Sequence, residues 1–500
     1  MTRLTKCDLV QGFRDLGLKR GDIVFVHSAL STLGYVEGGA DTLIDALLEA
    51  VGPEGTVVMP TFGTRGVFDR ERSSTGLGTV PETFRKRDGV VRSLHPTASV
   101  AAYGAKAEEI VRDHIRAETA HGAGTPYKRV ADLGGTVMLI GVDQDRSTML
   151  HTIEALAGAA YLSEREVRYL DEDGHPRTAH LKRLPGPHRD FIGLDRRFRD
   201  AGVMRVGRVG DARVRLLNAR GMIEEGLRAL AEDPAAMLCD NPNCADCVRQ
   251  RGRIKASRLA GEDFILAADT GLVGITLDEM LLRIEGEGIS HLEFGRLGNR
   301  EIVDVPDEEL ALVKERLDEF GVKISAIRTA KWESVCPRML EIARHFDAAY
   351  IVLPIRSFHS GQVYAGLTDV LKAVEKSDVR VLLENVGLSS RVCFRILSER
   401  ASDRIRLAFN PFNFARVYEK PFLQSLRNKL RRFTGQLYIN DGTFDGIPTG
   451  LGKGNAEIKE LMSILRCASF DGYFTLTGIP RSGMDFAATA ERFWYLLDNM

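Results

Sequence analysis

Residues 22–62, DIVFVHSALSTLGYVEGGADTLIDALLEAVGPEGTVVMPTF, decide how the first half of this chain folds. Ile23, Val24, Phe25 and Val26 make an unbroken apolar run, the pattern of a strand covered on both faces. After a turn rich in hydroxyls and glycine, GGADTLIDALLEAVG reads as an amphipathic helix stopped by Gly52 and Pro53. GTVVMPTF then gives a second strand, ending at Pro60. Upstream, Thr5 and Asp8 are spaced as a capping box ahead of Leu9, Val10, Phe13 and Leu16 at helical intervals. Downstream, GTVMLIGV (135–142) is a third strand, ending at Gly141 and leading through a short loop into MLHTIEAL (149–156). These elements define a mixed α/β unit.

From about residue 262 the rhythm becomes regular. Eight strand-like runs follow one another: DFILAAD, HLEFG, KISAIRT, AYIVLPI, VRVLLEN, RIRLAFN, GQLYIND and YFTLTG. Helical stretches such as DEELALVKERLDEFG and NAEIKELMSILRCA separate many of them. Eight such repeats are what a (β/α)8 TIM barrel requires. The expected organisation is therefore two domains, 1–255 and 256–500. They meet at a polar, aperiodic stretch, DPAAMLCDNPNCADCVRQRGRIKAS, which carries a Cys-rich junction at 239–247.

Bulk properties narrow the function. With 68 Lys+Arg against 69 Asp+Glu the net charge is -1, without the basic surplus of a nucleic-acid binder. No apolar run has the length of a membrane span, and the N-terminus lacks the pattern of a signal peptide. The seven cysteines are an odd count with no disulfide framework, so a reducing cytoplasm is expected. The sequence leaves the oligomeric state open.

Two clusters carry candidate chemistry. His151 and Glu154 stand three apart in MLHTIEAL and share a helix face, as a catalytic pair or as the polar edge of a buried helix. Cys239, Cys244 and Cys247 are spaced C-x4-C-x2-C, with the C-x2-C bite that suits zinc. Asp240, Asp246 or a distant residue would be the fourth ligand; the alternative is a set of solvent-facing thiols in a linker.

Several stretches of the first half resemble the aminoglycoside 3-N-acetyltransferases, over about residues 5–238. They are VHSALSTLGYVEGGADTLIDALLEAVGPEGTVVMPTF, RSLHPTASVAAYG, HGAGTPYKRVADLGGTVMLIGV, STMLHTIEAL and, as closing strand and helix, RVGRVGDARVRLLNARGMIEEGLRAL. The resemblance implies transfer of an acetyl group from coenzyme A to an amine of an aminoglycoside, amino sugar or related metabolite. It places His151 beside the thioester as general base, a task that suits imidazole. Glu154 would fix its tautomer or help to bind the amine. Ser28, Leu30 and Ser31 of the loop HSALSTLG, and Thr125 and Pro126, are assigned to coenzyme A on the same ground, with His95 a weaker candidate. One region departs from the antibiotic-modifying members. HRDFIGLDRRFRDAGV (188–203) crowds arginines among Asp190, Asp195 and Asp200, which makes it less welcoming to a polycation. An acceptor from biosynthesis therefore stands beside an antibiotic-resistance role.

The second half resembles the xylose-isomerase-like barrels of sugar phosphate isomerases and epimerases. The resemblance makes Glu384, at the end of VRVLLEN, a metal ligand. Asn410 and Asn413 stand where it implies Asp and His, and Thr477 where it implies a second glutamate. Glu293, His291, His359 and Asp441 are further candidates at strand ends. One glutamate and two amides suit a divalent ion poorly. The barrel is expected to bind or present the substrate through Glu384, Asn410 and Asn413; the alternative is a bifunctional protein with an active isomerase or epimerase half.

Overall fold

The computed structural model describes residues 3–63, 66–183, 188–330, 332–355, 360–375, 377–399, 402–426, 429–478 and 485–500. The chain divides into two compact units, Met1–Gln250 and Arg251–Met500. The stretch read as aperiodic contains a helix, Ala245–Ser257, and the division falls within it. Among the described residues no helix is long and apolar enough to cross a membrane.

The first unit is built on a seven-stranded sheet in the order Met204–Val209, Ala212–Asn218, Thr136–Ile140, Ile23–Ser28, Thr56–Pro60, Val100–Gly104, Val91–Arg92. The three central strands are parallel, and antiparallel strands extend the sheet on both sides. Side chains alternate across the central strand. Phe25 enters one core with Val137 and Ile153, while Val24 and Val26 enter the other with Leu43 and Leu47. Burial on both faces explains the unbroken apolar run. Helix Gly39–Val51 ends at Gly52, whose φ of 69° places it in the left-handed region and whose N–H reaches Leu48 O. The Thr5–Asp8 capping box opens helix Lys6–Leu16 with both of its bonds made. The closing strand is in fact a pair, and a separate hairpin, Ser163–Leu170 with Pro176–Arg183, lies off the sheet.

The loop that follows Ile23–Ser28 is tied to the neighbouring strand. Ala29 N–H donates to Ile140 O, and Thr32 packs on Gly141. A Cβ at Gly141, already at φ +64°, would lie 1.6 Å from Thr32 Oγ1. Glycine at that point lets the loop close over the strand end.

In the second unit the eight apolar runs form a closed barrel of eight parallel strands. They are Ile265–Asp269, His291–Phe294, Lys323–Arg328, Tyr350–Ile355, Arg380–Asn385, Ile405–Phe409, Thr434–Ile439 and Tyr473–Leu476, the last pairing with the first. Most connections carry a full helix. The sixth is an exception, with the short Pro411–Ala415 and an irregular turn at Pro421–Leu426. Because the strands are parallel, residues at their C-terminal ends gather at one mouth.

Candidate functional site

Helix Leu150–Leu156 starts just after the strand Thr136–Ile140 and brings His151 and Glu154 together. His151 Nδ1 lies 2.7 Å from Glu154 Oε2. Glu154 is fully buried, whereas the His151 side chain is 26% exposed. Two groups absent from the sequence reading complete the arrangement. Tyr161 donates its hydroxyl to Glu154 Oε1 at 2.7 Å, and Arg189 donates Nε to the same oxygen at 2.7 Å. The Arg189 guanidinium lies over the Tyr161 ring, 5.0 Å from its centroid, and donates Nη1 to His188 O. Burial raises the pKa of Glu154, but the hydrogen bond and charge of His151 and the charge of Arg189 together hold it below the ordinary value. An ionised Glu154 accepts Nδ1–H from His151 and leaves Nε2 as the basic nitrogen. Phe191 and His121 pack around the imidazole at ring distances of 5.1 and 5.2 Å.

The other assigned residues divide by environment. Ser28 ends its strand beside a cavity of about 240 Å³ lined by His27, Met59, Pro60, Leu77, Arg146 and Thr148. The cavity lies at the C-terminal ends of parallel strands, where open α/β sheets hold ligands. His27 is buried, which lowers its pKa to about 3 and keeps it neutral. Leu30 and Ser31 begin the turn Leu30–Leu33. Thr125 is fully buried and caps helix Pro126–Asp132, donating its hydroxyl to Gly122 O at 2.7 Å. Pro126 is the buried first residue of that helix. His95 is buried, accepts from Thr97 N–H and stacks on His114 at 4.4 Å.

The arginine-rich stretch differs from its sequence reading. Arg189 is buried on Glu154, Asp195 is bonded by Arg215 at 3.2 Å, Arg197 pairs with Glu232 at 2.7 Å, and Arg196 pairs with Asp200 at 3.4 Å. These charges are internally compensated, so crowded arginines in the sequence do not amount to a field against a cation.

Cys239, Cys244 and Cys247 come together, and His188 joins them. The four ligand atoms lie within 4.8 Å of one another. His188 Nδ1 is 3.4 Å from Cys244 Sγ and 3.3 Å from Cys247 Sγ. Zn–N and Zn–S bonds of ~2.1 and ~2.3 Å give tetrahedral edges of about 3.6–3.8 Å, close to these separations. Asp246, an expected fourth ligand, instead accepts the His188 backbone N–H at 3.3 Å. The donor set of three thiols and one imidazole fits a closed structural zinc site.

At the barrel mouth, Glu384 is 3% exposed and both of its oxygens are engaged. Arg328 donates Nη2 and Nε to Oε2 at 2.8 and 3.1 Å, and Oε1 accepts from Asn410 Nδ2 at 2.9 Å and Asn413 Nδ2 at 3.4 Å. The two amides thus bond the glutamate. Thr477 donates its hydroxyl to Asp269 at 3.1 Å. The carboxylate of Asp441 accepts four backbone N–H groups, from Gly442, Gly452, Gly454 and Ala456, and organises the loop after its strand. His291 lies near Tyr473, its pKa lowered to about 4 by burial and then Lys323. His359 lies outside the described residues. Glu293 is fully buried and accepts from Gln436 and Tyr438; burial, then Asp269, pushes its pKa up to about 8 against the opposing charge of Arg328. A guanidinium bound to Glu384 and 3.8 Å from Glu293 does not fit a divalent ion among the same carboxylates.

The chain matches the family model described as aminoglycoside 3-N-acetyltransferase over residues 25–231. It is 34% identical to aminoglycoside N(3)-acetyltransferase IV of Salmonella sp, over 47% of this chain and 90% of that protein. It is 32% identical to aminoglycoside N(3)-acetyltransferase VIII of Streptomyces fradiae, over 45% of this chain and 91% of the relative. Among solved structures it is similar to aminoglycoside acetyltransferase AAC(3)-IVa (apoenzyme), at 31% identity and TM-score 0.46 over 49% of this chain and 96% of that one. AAC-IIIb, described as a binary complex with CoASH, matches at 28% identity and TM-score 0.43, over 46% and 97%. The sequence relationships define an acyl-CoA-dependent N-acetyltransferase. The chain belongs to the aminoglycoside 3-N-acetyltransferase family.

Two outcomes follow from the buried carboxylates. Glu154, held low in the folded state, contributes stability above its unfolded pKa that is lost as pH falls through the folded one. Arg189→Met leaves that charge without its guanidinium, which should cost about 3–5 kcal/mol and move acid unfolding to higher pH. Acid unfolding followed by circular dichroism checks this; an unshifted midpoint would count against Arg189 as the group that keeps Glu154 ionised. Glu293 has the opposite sign. It keeps its proton when folded and loses it when unfolded, so barrel stability should fall as pH rises from 4.5 to about 8, by up to ~1.4 kcal/mol per pH unit. Denaturant titrations across that range should show a flatter profile for Glu293→Gln.

Proposed function

We propose that the first unit transfers an acetyl group from acetyl-CoA to an amine of an aminoglycoside or related amino sugar, with His151 as general base. The observation that carries this reading is the imidazole held between solvent and a buried carboxylate that three side chains engage. Acetyl-CoA supplies the acyl group as a thioester. Glu154 fixes the Nδ1–H tautomer, so His151 Nε2 takes the proton released by the amine as its nitrogen bonds the acyl carbon. The C–S bond breaks, and the same nitrogen returns the proton to the departing thiolate. Glu154 also stabilises the imidazolium that forms in between. The family match to N(3)-acetyltransferases supports an aminoglycoside as the acceptor class, and with it a resistance role. Ser28, Leu30 and Ser31, on the loop tied to Gly141, are the residues we assign to coenzyme A. Thr125 and Pro126, buried at the start of helix Pro126–Asp132, complete that assignment. His151→Ala should lower thiol release from acetyl-CoA with gentamicin by roughly a hundredfold or more while cofactor affinity is retained. Unchanged turnover in that variant, or an isolated acyl-enzyme, would sink the mechanism.

We also propose that His188, Cys239, Cys244 and Cys247 hold a structural zinc ion. Three thiols and an imidazole within bonding distance of one centre support it. Elemental analysis of the purified chain should find close to one zinc per molecule. The metal should be lost in Cys244→Ser and in His188→Ala and kept in Asp246→Ala, which removes the bond to the backbone without removing a ligand. Zinc that survives the loss of His188 would contradict the assigned fourth ligand.

To the barrel we assign ligand binding, in keeping with its resemblance to xylose-isomerase-like (β/α)8 barrels and with the polar side chains gathered at its mouth.

A further inference from the structure

We propose that the barrel mouth is a metal-independent site for a polyhydroxylated amine, with Arg328 holding on Glu384 the place that the barrel's resemblance gives to a divalent ion. This deepens the ligand-binding role assigned above and rests on it.

The first observation is that no anionic oxygen of Glu384 is left for a metal. Arg328 takes one oxygen with two N–H groups, and Asn410 and Asn413 take the other. The guanidinium also lies 3.8 Å from Glu293, whose buried carboxyl keeps its proton up to about pH 8. A divalent ion would have to displace a fixed cation and enter beside its charge, with Glu384 as the ionised carboxylate left to offset that cost.

The second observation is what the cavity still offers. Its volume is about 300 Å³, at the lower end of small-molecule pockets and enough for a single ring rather than a chain. Asn440 lines it, and Asn440 Oδ1 is buried there without a hydrogen-bond partner. Asp269 also lines it and spends one oxygen on Gly271 N–H and the other on the Thr477 hydroxyl, which leaves each able to accept again. The remaining interior acid, Asp441, is saturated by backbone N–H groups. The charge of Glu384 is matched by Arg328, so among the described residues Asp269 is the interior carboxylate without a cation of its own in hydrogen-bond contact. A buried acceptor without a donor costs about 1–3 kcal/mol, so such a cavity favours a ligand that brings donors. Hydroxyls satisfy Asn440, and an ammonium satisfies Asp269. Phe412 supplies an apolar face for ring C–H groups. Among the described residues, the one further cation on the lining, Arg416, is exposed at the rim.

The test uses the full chain carrying His151→Ala, so that nothing is turned over. Isothermal titration with glucosamine, glucose and glucose 6-phosphate compares the amine, the neutral ring and the phosphate ester in the presence of a chelator. Glucosamine should bind most tightly, and its affinity should drop at least tenfold in both Asp269→Asn and Asn440→Leu, as a site that loses one buried polar partner does. Binding that persists in both variants, tighter binding of glucose 6-phosphate, or no binding of any of the three would overturn the proposal. Manganese resonance is the second arm. The parent chain should hold no manganese at the mouth, Arg328→Met should gain a site by freeing Glu384, and Arg328→Lys, which keeps the charge, should not. Manganese bound by the parent chain and lost on Glu384→Gln would restore the metal site and with it an isomerase or epimerase half. Acetyl transfer by the first unit is measured separately, so failure of either reading leaves the other intact.

Discussion

A carboxylate with no access to solvent has to be matched from within the protein, and Glu154 is the group around which the first unit's site is arranged. Left alone it would take up a proton, and a protonated Glu154 would no longer accept Nδ1–H from His151 as an anion does. The protein prevents this with three donors of different kinds. His151 is partly exposed, Tyr161 is neutral, and Arg189 carries a guanidinium charge. His151, by its hydrogen bond and charge, and then Arg189 together hold the carboxylate ionised. The neutral phenol orients the carboxylate, and burial together with Glu154's own charge keeps the Tyr161 hydroxyl protonated.

Arg189 is held by its neighbour in sequence. Its Nη1 binds the His188 carbonyl, and the His188 ring turns toward the cysteines. One residue therefore faces the cysteine cluster while the next faces the His151–Glu154 pair. On the zinc reading, a closed tetrahedral centre would fix His188 and, through one peptide unit, the position from which Arg189 reaches Glu154. That gives the cluster a purpose beyond pinning a linker: its rigidity would pass to the imidazole by way of a hydrogen-bonded chain, as outer-shell groups do at metal sites.

How much of this was legible depended on whether a local pattern carried the information. The strand at Ile23–Ser28, the capping box at Thr5 and the eight strands of the barrel follow from periodicity, because burial on a regular element repeats in the sequence. His151 and Glu154 share a face by spacing alone. The cysteines announced a cluster, though not its completion by His188, since a fourth ligand more than fifty residues away leaves no local trace. Arg189 and Arg328 were hidden for a more general reason. Arginine is usually on the surface, and the sequence around a buried one looks like any charged stretch. In HRDFIGLDRRFRDAGV the buried residue stands among exposed ones of the same type, and only tertiary contact tells them apart.

The same physical solution appears twice. Glu154 meets Arg189 and Glu384 meets Arg328, each an almost wholly buried carboxylate answered by a guanidinium. A metal would also neutralise such a carboxylate, but it can be lost, exchanged or starved, and it exerts Lewis-acid pull on whatever else it binds. A guanidinium is covalently part of the chain, keeps its proton, and directs its charge along a planar fork of N–H groups. It neutralises and positions without polarising a substrate carbonyl. At Glu154 that suits the general-base role proposed for His151, in which the proton would move to the imidazole and the carboxylate would stay ionised. At Glu384 it takes one carboxylate oxygen with two N–H groups, while Asn410 and Asn413 take the other. On the reading proposed above, the barrel mouth would recognise a ring by its hydrogen-bond donors without the help of a metal.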